Sequence, residues 1–162
     1  MKRTVQLLVV LSLVVVPTLM GMGMDFGARI SVQTPSLAIQ AEWDVSPEIT
    51  MGMFLESSLD PIFNPGTTQT PSIKVGLVAK YRFTHIHPAF MPYLGVVGSL
   101  GLLGTDTPIA MDALTGVRVY VTRNVSLFAE AAFSIVPLPA GATWYNPISW
   151  YKNFYFGFSL RL

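Results

Sequence analysis

The sequence predicts an all-β chain: an eight-stranded antiparallel up-and-down transmembrane β-barrel behind a cleavable signal peptide. Three observations predict it. Polar and apolar residues alternate in eight separate stretches, nearly every charge falls on one side of that alternation, and glycine, proline or a charge interrupts every later apolar run before it reaches membrane-helix length. Successive side chains of an extended chain point to opposite faces, so period-two alternation makes a strand with one polar and one apolar surface. A membrane helix needs roughly 20 apolar residues in a row.

The first 23 residues, MKRTVQLLVVLSLVVVPTLMGMG, carry a basic start at Lys2 and Arg3, an apolar core from Leu7 to Val16, then Pro17 and small residues. This is the pattern of a secretory signal, with cleavage expected after Gly23 or Gly21 and the barrel occupying residues 24–162. Its removal takes two of the ten cations and leaves eight against nine anions.

The strands then follow in order. Asp25–Gln33 sets Phe26 and Ile30 against Arg29, and Ser36–Val45 sets Leu37 and Ile39 against Glu42 and Asp44. Ile49–Ser58 opposes Met51, Met53 and Leu55 to Phe54 and Glu56. Ser72–Phe83 holds Lys74, Gly76, Lys80 and Arg82 at even positions and only apolar or aromatic residues at odd ones. In Pro92–Leu103, Leu94, Val96 and Leu100 alternate with Tyr93, Gly95 and Gly101. Ile109–Thr122 opposes Met111 and Val119 to Asp112, Gly116 and Arg118; Val125–Val136 opposes Leu127 and Ala131 to Phe128, Glu130 and Ala132. Tyr151–Leu162 closes the series with Phe154, Phe156, Phe158 and Leu160 against Tyr155, Gly157 and Arg161. An even number of strands is what hairpin closure requires.

Two connections share the form V-[ST]-x-x-[IV]-[ST]-[ML]: Val45 to Met51 and Val121 to Leu127. Both are expected to be tight hairpin turns. They fall, with the turn near His85, at one end of the barrel, while residues 59–71 and 138–149 form long loops at the other. That asymmetry matches short periplasmic turns and longer external loops.

Lys152 is the one clear exception to the charge sorting and is expected to reach headgroups from the loop end of its strand. The charged face also carries small residues, which suit a crowded lumen, whereas the apolar face is too extensive for one small domain to hide. The predicted lumenal network comprises Arg29, Glu42, Glu56, Lys74, Lys80, Arg82, Asp112, Arg118, Glu130 and Arg161. Glu56, Lys74 and Asp112 should lie towards the loop end, and Arg118 and Glu130 should approach one another nearer the middle. Buried ions must be paired, because an unpaired one costs several kcal/mol. Phe54, Tyr93, Tyr120, Phe128 and Tyr155 supply bulk on the same face. Trp144, Tyr145, Trp150 and Tyr151 at the loop end, and Trp43, Phe83 and Phe90 at the turn end, would form two interfacial girdles.

In its last strand, NFYFGFSLRL, and in the hairpin GVRVYVTRNVSLFAEAAFS, the chain resembles the small eight-stranded bacterial outer-membrane barrels of the outer-membrane protein X and outer-membrane protein A transmembrane type. The resemblance covers Asp25 to Leu162 and departs at Leu162, where the family favours Phe. It implies residence in the outer membrane of a diderm bacterium, contact with outer-membrane lipids including lipopolysaccharide, handling by the barrel-assembly machinery, and a monomer. It also brings an alternative, since some such barrels act on lipid A or phospholipid through Ser, His and an acid.

With 51% hydrophobic and 12% charged residues, the composition is not that of an ordinary soluble surface. There is no basic stripe for nucleic acid, and zero cysteines exclude disulfides and thiolate metal sites. The only histidines, His85 and His87, fall together at a predicted periplasmic turn, away from the outer leaflet, and no third metal ligand accompanies them. No cofactor motif is present. The expected role is therefore structural or at the envelope surface, without catalysis, with a lumen too narrow for an open channel. Two other readings stand beside it: a narrow passive channel for ions or small solutes, and a secreted lipocalin-like barrel, whose polarity would be reversed.

Overall fold

The structure, a computed structural model, describes residues 23–59, 62, 72–103, 109–136 and 151–162. The segment read as a signal peptide, the aromatic residues Trp144, Tyr145 and Trp150, and nearly all of the two long loops lie outside the described residues. Eight strands run in chain order: β1 Met24–Ser31, β2 Ser36–Asp44, β3 Ile49–Ser58, β4 Ile73–Arg82, β5 Phe90–Leu103, β6 Ile109–Tyr120, β7 Val125–Val136 and β8 Tyr151–Arg161. Each pairs antiparallel with its neighbours, and β1 pairs with β8, so the sheet closes into a barrel. Closure leaves no strand with an unpaired backbone edge.

β3 and β7 match the predicted bounds, and the others shift by one or two residues. β1 and β6 end two residues early, and β5 begins two residues early, at Phe90, ahead of Pro92. Its extension is secured by Tyr120 N–H donating to the Ala89 carbonyl at 2.9 Å and by pairing of Phe90 with Val119.

The two turns of similar sequence have the same hydrogen bonds. Val45 and Ser46 N–H both donate to the Ile49 carbonyl, and Val121 and Thr122 N–H both donate to the Val125 carbonyl. In each, the hydroxyl of the second residue accepts from backbone N–H groups two and three residues on: Ser46 from Glu48 and Ile49, Thr122 from Asn124 and Val125. A short hydroxyl side chain folding back on its own turn is why Ser or Thr stands there.

Outward positions are mostly apolar and include the most exposed residues of the strands, with Ile39 60%, Leu77 60%, Leu127 52% and Phe156 50% exposed. Inward positions are buried and mixed in polarity, including Arg29 3%, Glu42 1%, Arg118 2% and Glu130 0%. The polarity is thus the reverse of a barrel with an apolar ligand cavity.

Three aromatic rings fill the space that inward glycines leave. Phe54 pairs with Gly76, Tyr93 with Gly116 and Phe128 with Gly157 across adjacent strands. A Cβ at Gly157 would sit 2.3 Å from the Phe128 ring and 2.4 Å from the Ala28 carbonyl oxygen, so only glycine leaves room for the ring there.

Candidate functional site

Ten of the inward charges form one alternating chain along the barrel. It begins near the loop end with Glu56 on β3, 3.5 Å from Arg29 on β1, which reaches Glu130 on β7 at 3.1 Å. Lys80 on β4 bridges Glu130 to Glu42 on β2, approaching the latter to 2.6 Å. Arg118 on β6 bridges Glu42 to Asp25 on β1, the latter at 2.6 Å. Arg161 on β8 then joins Asp25 at 3.0 Å to Asp44 at 2.7 Å, and Asp44 meets Arg82 at 2.7 Å. Acid and base alternate at every step, from Glu56 at one end to Arg82 at the other, so the chain is charge-balanced.

Neutral groups complete it. The Tyr93 hydroxyl donates to Glu130 at 2.8 Å, Ser36 donates to Glu56 at 2.9 Å, and the Gln40 amide donates to Glu42 at 3.3 Å. The Arg29 guanidinium lies between the rings of Phe54 and Tyr155, 4.5 and 4.4 Å from their centroids. Lys80 lies 4.7 Å from the Tyr93 ring centroid. These ring faces are electron-rich and attract the cations that the lumen removes from water. Among the described residues, only the Nε atoms of Arg29 and Arg82 are buried without a hydrogen-bond partner.

Of the predicted residues, Arg29, Glu42, Glu56, Lys80, Arg82, Arg118, Glu130 and Arg161 are members of this chain. Asp112 stands apart at the loop end. Lys74, also near that end, makes no ion pair with another described residue and borders a small cavity of about 30 Å³, room for about one water.

Two expectations are corrected. Arg118 and Glu130 do not meet: they face different cross-strand partners, Phe128 and Gly116, and are joined only through Glu42 and Lys80. Lys152 does not reach headgroups but places its Nζ 2.8 and 2.9 Å from the Asp112 carboxylate. The cause is a bulge: Ala132 pairs with Asn153 and Phe133 with Tyr151, which leaves Lys152 as the extra residue. An extra residue breaks the strict alternation and re-aims a side chain. Tyr151 consequently turns outward, where its ring meets Phe133 at 5.9 Å.

The candidate set also lacked Asp25 and Asp44, each of which joins two cations. Their position in the alternation was a usable signal, since both share the parity of a lumenal neighbour, Arg29 or Glu42. Both histidines are exposed on the β4–β5 turn, where the His87 ring accepts from Ala89 N–H at 3.1 Å.

Beyond the chain's last members the lumen opens at the turn end into a vestibule of about 550 Å³, bordered by Arg82, Arg161, Tyr120 and Arg123. The interior is thus filled in the middle and hollow at one mouth.

Fold and lumen together define the class: a closed eight-stranded antiparallel barrel with an apolar exterior and a charged, filled interior. Solved structures similar in shape include outer-membrane barrels and designed counterparts. The N-terminal β-barrel domain of Pseudomonas aeruginosa OprF superposes with a TM-score of 0.59 at 9% identity, covering 87% of this chain and 96% of that one. A de novo designed transmembrane β-barrel gives 0.56 at 15% identity over 88% and 96%. Neisserial surface protein A gives 0.51 at 19% identity over 87% and 94%. No protein-family model and no curated protein sequence matches the chain. At these identities the likeness is one of fold.

Proposed function

We propose that the protein is an integral outer-membrane barrel of a diderm bacterium, exported by its N-terminal signal, with a structural or envelope-surface role and no catalytic one. The observation that carries this reading is the alternating charge chain from Glu56 to Arg82, which occupies the lumen of a barrel whose outer face is apolar. An apolar exterior is stable against acyl chains, and a paired, aromatic-lined interior is stable without a continuous water column. Such a barrel contributes its surface, its loops and its stiffness to the envelope and does not pass solutes. Outer-membrane lipids, with lipopolysaccharide at the loop end, are its expected surroundings, the barrel-assembly machinery its expected route, and the monomer its expected state.

The test is reconstitution into a planar bilayer after purification in detergent. Few or no stable openings are expected, with the protein requiring detergent or lipid to remain monomeric. Steady, ion-selective conductance would reject the sealed lumen, and a monomer stable in plain buffer would reject the membrane reading.

A further inference from the structure

We propose that the turn-end vestibule is a binding site for a small oxyanion, a phosphate or carboxylate group. The charge chain is balanced overall but polarised, because it starts with an acid near the loop end and finishes with Arg82 at the turn end. Three guanidinium groups from three separate elements border the vestibule: Arg82 on β4, Arg161 on β8 and Arg123 on the β6–β7 turn. Asp44 is the one carboxylate on its wall, and it is shared between Arg82 and Arg161. Asp25, behind Arg161, is likewise shared with Arg118.

The donors are not used up by these pairings. Arg161 keeps 31% of its side chain exposed. Arg82 is buried to 5% exposure and holds its terminal nitrogens on Asp44 and on the Ser46 and Pro47 carbonyls, so it gives the wall its charge while the free donors come from Arg161 and Arg123. Arg123 is exposed and makes no ion pair with a described residue. Planar guanidinium groups converging on one space from different sides suit the several acceptor lone pairs of an oxyanion. The vestibule is lined from β2, β4, β5, β6 and β8 and their turns, and its volume of about 550 Å³ takes such a group with its water.

The probe is inorganic phosphate, titrated into the full barrel in phosphatidylcholine nanodiscs and followed by amide NMR at constant ionic strength. Saturable shifts are expected at Tyr120, Arg123 and Arg161, absent with chloride. Arg123→Ala, a change on an exposed turn that touches no member of the charge chain, should weaken the apparent affinity about tenfold, equivalent to ~1.4 kcal/mol. If the same residues are already shifted in phosphatidylglycerol nanodiscs before phosphate is added, a lipid headgroup is the source of the oxyanion; shifts seen only on titration assign a soluble one. Shifts reproduced by chloride, or an affinity unchanged in a folded Arg123→Ala variant, would overturn the proposal.

Discussion

At the turn end and middle of the lumen every acid is shared: Glu42, Glu130, Asp25 and Asp44 each contact two cations. At the loop end the pairing is singular. Asp112 has only Lys152 among the described residues, and Lys152 keeps 32% of its side chain exposed. The backbone differs in the same sense. Register is unbroken from the turns inward, whereas β4–β5, β6–β7 and β7–β8 all shift close to the loop end. Charges buried away from water need complete pairing, and complete pairing needs a regular frame; near a mouth water supplies the missing partner and the frame can bend.

This contrast is broken most directly by removing one acid from each region. Glu130→Gln keeps the shape of a side chain that is 0% exposed but leaves Arg29 and Lys80 short of charge, and should cost about 3 to 5 kcal/mol in a lipid-vesicle unfolding assay. Asp112→Asn should cost only about 1 kcal/mol, because its partner can turn to water. Equal losses at the two sites would mean that the middle of the lumen is as wet as its mouth.

Coupling between residues sharpens the same point. Arg118 touches Glu42 directly and reaches Glu130 only through Glu42 and Lys80. A double-mutant cycle on Arg118 and Glu42 should therefore return a coupling of about 2 kcal/mol, and one on Arg118 and Glu130 well under half of that. The reverse order would restore the direct contact that strand pairing alone led one to expect.

How far the sequence could be read follows from the same division. Alternation locates all eight strands and places Lys80 and Arg118 inside, because parity is a property of each unbroken strand taken alone. The turns were legible for a similar reason, since a Ser or Thr hydroxyl bonding its own turn is local chemistry. Pairing was not legible. Which acid meets Arg118 depends on how far each strand is staggered around the barrel, and Arg118 finds Asp25, 93 residues away. Parity also fails at a bulge, which the residues around Lys152 do not announce.

Lys152 gives the smallest expected effect and the cleanest view of that failure. Lys152→Met removes one ion pair at the mouth whose lysine is 32% exposed and whose carboxylate keeps the Ser134 hydroxyl as a donor, so the loss of stability should be about 0.5 kcal/mol. Its direction is tested separately. The chain has no cysteine, so Lys152→Cys and Phe154→Cys each carry a single thiol. The bulge places the first over the lumen beside Asp112, while strand parity turns the second outward with Phe156, whose ring lies 4.8 Å away. A charged, water-soluble thiol reagent should therefore modify the Lys152→Cys protein readily and the Phe154→Cys protein slowly. If both react at the same slow rate, Lys152 faces the bilayer, strict alternation persists to the end of β8, and the loop end is as regular as the turn end.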